Sequence, residues 1–304
     1  MAHARDPQKQ EQPNTYVVQD KQSGEEMERL IVQDKMVTNS MGGVLPEQPD
    51  PSLFRRVLDV GCGTGGWLIE MAQQYPAMSL FGVDISNRMI DYARARAESA
   101  GVADRVEFLV NDATLMLEFP ADFFDLANLR FGVSFLRTWD WPKMLSELQR
   151  VTRVGGIVRV TDGMIGSQSM KPALTQLEEM LRCAFYRAGH LFTEGPTGLI
   201  DHLERLLIQH GCEHVQTKSY AVESHAGTEE GEAFFKDMSL AYRTVRPYIK
   251  KWGCISDDYD MLYQQALAEM AHSDFCARGT LLTAWGTKVA EQPGGYMLER
   301  ARVE

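Results

Sequence analysis

The chain is short of positive charge. Over 304 residues, 31 Lys and Arg stand against 42 Asp and Glu, a formal net charge of -11, and the basic residues nowhere run together. Sequence-independent grip on nucleic acid or on an anionic membrane draws on clustered Lys and Arg, so neither partner is expected. No apolar h-region occurs in the opening MAHARDPQKQEQPNT, and no eighteen apolar residues follow one another. Neither an export signal nor a membrane span is therefore expected. The five cysteines, Cys62, Cys183, Cys212, Cys254 and Cys276, are odd in number and include no CxxC pair. They read as free thiols in a reducing cytoplasm, with no ligand pattern for zinc. No HExxH, internal repeat or low-complexity tract is present, and no metal is expected.

What is there is a globular chain, 44% hydrophobic, with an ordered middle. Residues 1–50 read as a loose polar tail and a lid helix over 24–38, whose apolar face (Met27, Leu30, Ile31, Met36) needs something to cover. From residue 51 to 304 the pattern is one domain. Apolar runs at RVLDVG, SLFGVDI, RVEFLV, FFDLANLRF and GGIVRVT alternate with amphipathic helices, and Ser86 stands as a helix cap. This alternation specifies an α/β fold, a Rossmann-like parallel sheet with helices on both faces and its ligand outside the carboxyl ends of the strands. Helical insertions are expected at about 164–195 and 228–273, placed to roof that crevice. One helix is read over 197–211, a sixth strand at HVQTKSYAV and a closing strand at TLLTAWGTKV.

The strongest signal is VLDVGCGTGG at residues 57–66. Glycines let a strand turn tightly into a helix while a ligand lies against bare backbone. Gly61, Gly63 and Gly66 satisfy the dinucleotide spacing GxGxxG, whereas Asp59, Gly61, Gly63 and Gly65 satisfy DxGxGxG. Asp59 favours the second pattern, because a carboxylate there suits an ammonium group and repels a pyrophosphate. Asp84, with Ile85 after it, ends the second strand, where an acid can hold ribose hydroxyls of either cofactor. Asn111 and Asp112 follow the third strand as turn formers or as acceptors for an adenine amine.

These residues resemble the class I S-adenosylmethionine-dependent methyltransferases, through VLDVGCGTGG, FGVDIS, NDA at 111–113 and the stretch from FFDLANLRFG to RVTD. The resemblance covers residues 56–162. It implies S-adenosylmethionine as cofactor, with Asp59 toward the methionine amino group, Gly61 and Gly63 lining the methionine and ribose, and Asp84 holding the ribose. It also implies Asp112 and Ala113 on adenine, Leu129 and Arg130 beside the methionine portion, and a seven-stranded sheet whose last strand is antiparallel beside the fifth. NLRFG, the N-terminal helix and Tyr16 are similar to a branch of microbial specialised metabolism that includes an indole-lactam alkaloid prenyl C-methyltransferase. That likeness implies a small, largely apolar or aromatic acceptor methylated at O, N or C.

Methyl transfer from a sulfonium needs alignment and exclusion of water, and a base only where the nucleophile sheds a proton. His190 in the first insertion and Tyr16 before the lid helix are the candidate acceptor-side residues. Tyr16, Phe185, Tyr186, Phe192, Phe234, Phe235, Tyr242 and Tyr248 all fall outside the cofactor core. Two or three of them are expected in an apolar pocket, the rest gluing helices to the sheet. A homo-oligomer is expected, with the lid helix covering its own crevice or a neighbour's. The rival readings are a nicotinamide-dependent oxidoreductase, a non-catalytic cofactor binder and a cyclase that leaves the methyl in place.

Overall fold

The computed structural model describes residues 16–18 and 24–290. The tail read over residues 1–14 lies outside the described residues. The chain runs α1 (Gly24–Met41), β1 (Arg56–Val60), α2 (Gly66–Gln74), β2 (Ser79–Asp84), α3 (Asn87–Ser99), β3 (Val106–Val110), β4 (Phe124–Arg130) and α4 (Trp141–Val151). It continues through β5 (Thr152–Gly163), α5 (Pro172–Arg187), α6 (Leu203–Gln209), β6 (Cys212–His225), α7 (Glu229–Thr244), α8 (Arg246–Lys251), α9 (Tyr259–Ala271) and β7 (Cys276–Lys288).

Strand alternation builds two cores on one sheet. Val57, Leu80 and Leu126 face α2 and α3, where Trp67, Leu68, Ile90 and Ala93 cover them. Leu58, Val83, Ala127, Leu129 and Val158 face the other way, toward α4 and the helices that follow. Burial on both faces is why these strands read as continuous apolar runs. Seven strands pair in the order β3-β2-β1-β4-β5-β7-β6. The first five are parallel, and β7 lies antiparallel between β5 and β6. Strand order reverses between β1 and β4, which opens a crevice at their carboxyl ends.

Ser86 caps α3 as read, its Oγ accepting from Met89 N at 3.4 Å. Four readings need correction. The helix over 197–211 is a single 3-10 turn, Ile200–His202, followed by the short α6. The stretch around 232–252 is two helices, broken at Val245 where Pro247 starts α8. The buried side of α1 carries Glu26, Arg29, Val37, Thr38 and Met41, so its first half buries charge beside the apolar face, of which Leu30 and Met36 line the crevice. Finally, Cys183 on α5 and Cys254 after α8 form a disulfide across 71 residues, and only Cys62, Cys212 and Cys276 are free thiols. Helix α5 packs along α8, a proximity that sequence spacing conceals. No helix among the described residues is long and apolar enough to cross a membrane.

Candidate active site

The turn from β1 into α2 is pinned to β2. Gly61 and Cys62 both donate to Val83 O, at 2.8 and 3.0 Å, and Gly63 N donates to Asp84 Oδ2 at 3.0 Å. Gly63 and Gly65 have φ of 52° and 73°, conformations costly for any residue with a Cβ. At Gly65 a Cβ would also overlap Phe108 and Ala93, whereas at Gly63 it would meet open space. One glycine thus lets α2 pack against the sheet. The other leaves backbone bare to the crevice.

That crevice is a cavity of about 1070 Å³. At the glycine turn it is lined by Gly61, Gly63, Asp84, Ile85, Asn111, Asp112, Ala113 and Arg130, eight of the positions read from sequence. Asp84 Oδ1 accepts from Ser86 N at 2.8 Å, and burial raises its pKa against these two backbone donors. Asp112 Oδ1 takes the backbone N–H and hydroxyl of Thr114, at 3.0 and 2.6 Å. Asn111, which lines this end of the cavity, has a buried Oδ1 with no hydrogen-bond partner. Such an orphan is costly unless a ligand donor fills it. Bare backbone, a ribose-type acid and an orphaned acceptor fit a nucleoside cofactor.

Beyond the turn the wall becomes apolar. Phe131, Phe135, Ile165, Leu181, Phe234 and Met238 line it, together with Phe185, Tyr242 and Val245. Of the eight aromatics singled out above, Tyr16, Phe185, Phe234 and Tyr242 reach the cavity. Phe131 holds φ 54°, a strained backbone for a bulky residue, at the point where β4 delivers it to the wall. Two acids interrupt this chamber. Asp162 accepts from Val133 N and Gly163 N, at 3.0 and 2.9 Å, and Glu178 accepts from Ser167 Oγ at 2.6 Å. Burial raises both carboxyl pKa values to about 7.

Residues of α1 line the cavity opposite the sheet. Tyr16 Oη donates to Glu26 Oε1 at 2.6 Å, and Arg29 bonds Glu26 twice at 2.8 Å and Asp237 on α7 at 3.1 Å. Burial and then the neighbouring Glu26 hold the Tyr16 phenol well above its ordinary pKa. The phenol keeps its proton, which it donates to Glu26. Asp34, further along α1, pairs with Arg130 at 2.6 Å.

Three predicted site residues are not on the cavity wall. Asp59 is buried and points to the α2 side of the sheet, where Asn128 Nδ2 donates to its Oδ1 at 2.7 Å. Burial raises its pKa to about 6, against the pull of Arg130 and Asn128. Leu129 faces the opposite core. His190 is buried against Phe185 and Tyr248, its Nδ1 2.9 Å from Leu136 O, and burial lowers its pKa to about 4. It is a neutral core histidine. The sequence reading missed Asp34, Glu178, Asn128 and Arg159. Two of them had a signal: Glu178 falls on the same helical stripe as Leu174, Leu177, Leu181 and Phe185, and Asp34 lies between Leu30 and Val37. An acid on an apolar stripe is a buried acid that needs a reason.

Among the described residues no group of three or more His, Cys, Asp or Glu could hold a metal ion. Residues 57–156 match a family model described as a methyltransferase domain. Demethylmenaquinone methyltransferase of Thermus thermophilus is 37% identical over 102 residues, 34% of this chain and 44% of that protein. The bovine (Bos taurus) U6 snRNA (guanine-N(2))-methyltransferase THUMPD2 is 34% identical over 104 residues, 34% of this chain and 21% of that protein. The matched segment therefore spans less than half the length of these curated relatives. Among solved structures, phosphoethanolamine N-methyltransferase 2 of Haemonchus contortus, in complex with phosphomonomethylethanolamine and S-adenosylhomocysteine, superposes with a TM-score of 0.55 at 17% identity. The superposition covers 90% of this chain and 60% of that one. The YcgJ protein of Bacillus subtilis gives 0.52 at 17% identity, over 83% and 99%. The shared feature is the fold.

Proposed function

Taking as premise that residues 57–156 carry a methyltransferase domain of the class I, S-adenosylmethionine-dependent fold, we propose that the protein transfers a methyl group to a small, largely apolar acceptor held beneath α1. The observation that carries this reading is the continuity of the cavity. One space of about 1070 Å³ runs from the glycine turn into the aromatic and aliphatic chamber, so cofactor and acceptor share it.

The cofactor, when bound, would supply a methyl on a sulfonium sulfur, open to in-line attack at carbon by an acceptor lone pair or π bond, with S-adenosylhomocysteine as the leaving group. The residues of this chain do the rest. Gly61, Gly63, Asp84, Asn111 and Asp112 hold the nucleoside; Phe131, Phe185, Phe234 and Met238 desolvate and orient the acceptor; α1 keeps bulk water out. Glu178, with a pKa of about 7 and one hydroxyl donor, is placed to take the proton that an N–H, O–H or C–H acceptor loses. Asp162 has both oxygens committed to backbone N–H groups and shapes the turn that presents Val133.

An RNA acceptor, the substrate for which the bovine relative is named, finds less support, because the net charge of -11 opposes a phosphate backbone. The reading is tested with methyl-labelled S-adenosylmethionine and a panel of quinols, indoles and prenylated aromatics beside a mixed RNA substrate. Label in an organic-extractable small molecule supports it. Label confined to RNA contradicts it.

A further inference from the structure

Asp34 lies on the inner face of α1, among the residues that line the cavity, and one of its carboxylate oxygens receives Arg130 Nη2 at 2.6 Å. Its other oxygen lies so close to Gly66, the first residue of α2, that a side chain there would overlap it. Arg130 stacks over Trp67, 5.3 Å from the ring centroid, and its Nε is buried with no hydrogen-bond partner. The two side chains are only 19% and 12% exposed, so each charge depends on what stands beside it.

An α-amino acid end presents an ammonium and a carboxylate on one carbon, and a paired acid and guanidinium is its complement. Asp59, the acid expected to meet that ammonium, is turned into the sheet toward Asn128. Asp34 is a further carboxylate on the cavity wall, the one paired with Arg130, and it comes from the roof. Elsewhere the first half of α1 is tied to α7 through Arg29 and Asp237, Lys236 and Glu28, and Arg243 and Glu25, and its second half packs Val37 and Met41 against Tyr220 and Val222 of β6. Beyond its C-terminus the chain is held where Trp67 Nε1 donates to Val44 O at 2.9 Å. Between these anchors, Asp34 is its ionic contact with the glycine-turn end of the core.

We propose that Asp34 and Arg130 together receive the amino-acid end of the cofactor, Asp34 taking the ammonium and Arg130 the carboxylate, so that the bound cofactor fastens the middle of α1 over the site. This rests on the S-adenosylmethionine reading above and adds that the roof itself reads the cofactor. Arg130 lines the cavity, so a ligand carboxylate can meet the guanidinium that Asp34 already pairs. Ligand and helix then order each other, because each contributes a charge to the other's partner.

The test uses calorimetric titration of the full chain and its Asp34→Asn variant with S-adenosylhomocysteine and with 5′-methylthioadenosine, which lacks the amino-acid end. Amide exchange across α1 is followed with each ligand. The expected result is a tenfold or greater loss of S-adenosylhomocysteine affinity in the variant with 5′-methylthioadenosine unchanged, and protection of α1 by S-adenosylhomocysteine in the wild type only. Equal or tighter S-adenosylhomocysteine binding by the variant overturns the proposal, as does an equal loss of both ligands. If the wild type binds neither ligand, the cofactor reading fails first and takes this inference with it.

Discussion

Arg159 on β5 and Glu47, in the segment that leads from α1 to the sheet, form an ion pair of 2.7 Å with neither side chain exposed to solvent. The pair continues inward. Arg159 Nη1 donates to Asn128 Oδ1 and Asn128 Nδ2 to Asp59 Oδ1, both at 2.7 Å, along a row of residues that face one another across β5, β4 and β1. A chain of polar groups thus crosses the middle of an apolar sheet and ends directly under the glycine turn. Burial raises the Glu47 pKa, but the charge and hydrogen bonds of Arg159 more than offset it, and the carboxyl titrates below its ordinary value.

Breaking that pair leaves a buried guanidinium without its counter-charge. Glu47→Gln should destabilise the fold by about 3–5 kcal/mol, read from urea denaturation at pH 7. A loss below about 1 kcal/mol would show that the pair is no stronger than a surface salt bridge.

The two glycines of the turn should separate folding from binding. Gly65→Ala meets Phe108 and Ala93 in a left-handed conformation, adding about 1–3 kcal/mol of overpacking to about 1–2 kcal/mol of backbone cost. Gly63→Ala carries the backbone cost alone, and its methyl group has open space at the cavity wall. The expected outcome is a marked fall in melting temperature for the first variant. The second should fold nearly as well as wild type but lose affinity for S-adenosylhomocysteine. Identical behaviour of the two would contradict this division.

The parallel half of the sheet was legible because β1 to β4 are short, apolar runs set among helices, and the site's backbone half was legible because glycines and strand-end acids sit at fixed offsets. Other features depend on contacts between distant segments. Asp59 was assigned to the ligand from its place before Gly61, but strand alternation sends its side chain to the α2 face, where Asn128 waits 69 residues away. His190 looked available because it follows a glycine in an insertion, yet the turn at Gly189 folds it back under α8. The same distance hid the Cys183–Cys254 disulfide and the charged underside of α1. Pattern reports which face is apolar; it does not report which polar residue crosses to meet it.

The raised carboxyl of Glu178 sets a pH dependence of stability. Its pKa is about 7 in the folded chain and lies near the ordinary glutamate value when unfolded, so between these values the native state holds the extra proton. Its stabilising contribution is present below about pH 4 and is lost as pH rises through about 7. Glu178→Gln removes this term and should flatten the fall in stability between pH 5 and pH 8 by roughly 2–3 kcal/mol. Chemical denaturation at both pH values checks it; an unchanged slope would mean that Glu178 titrates normally.

The most direct measurement of the central claim is calorimetric titration of the purified protein with S-adenosylmethionine, S-adenosylhomocysteine and NAD under one set of conditions. A cavity that joins a glycine turn, the Asp84 carboxylate and the unpartnered Asn111 acceptor predicts micromolar binding of the first two and none of NAD. Binding of NAD alone would contradict the account and make the glycine turn a pyrophosphate site.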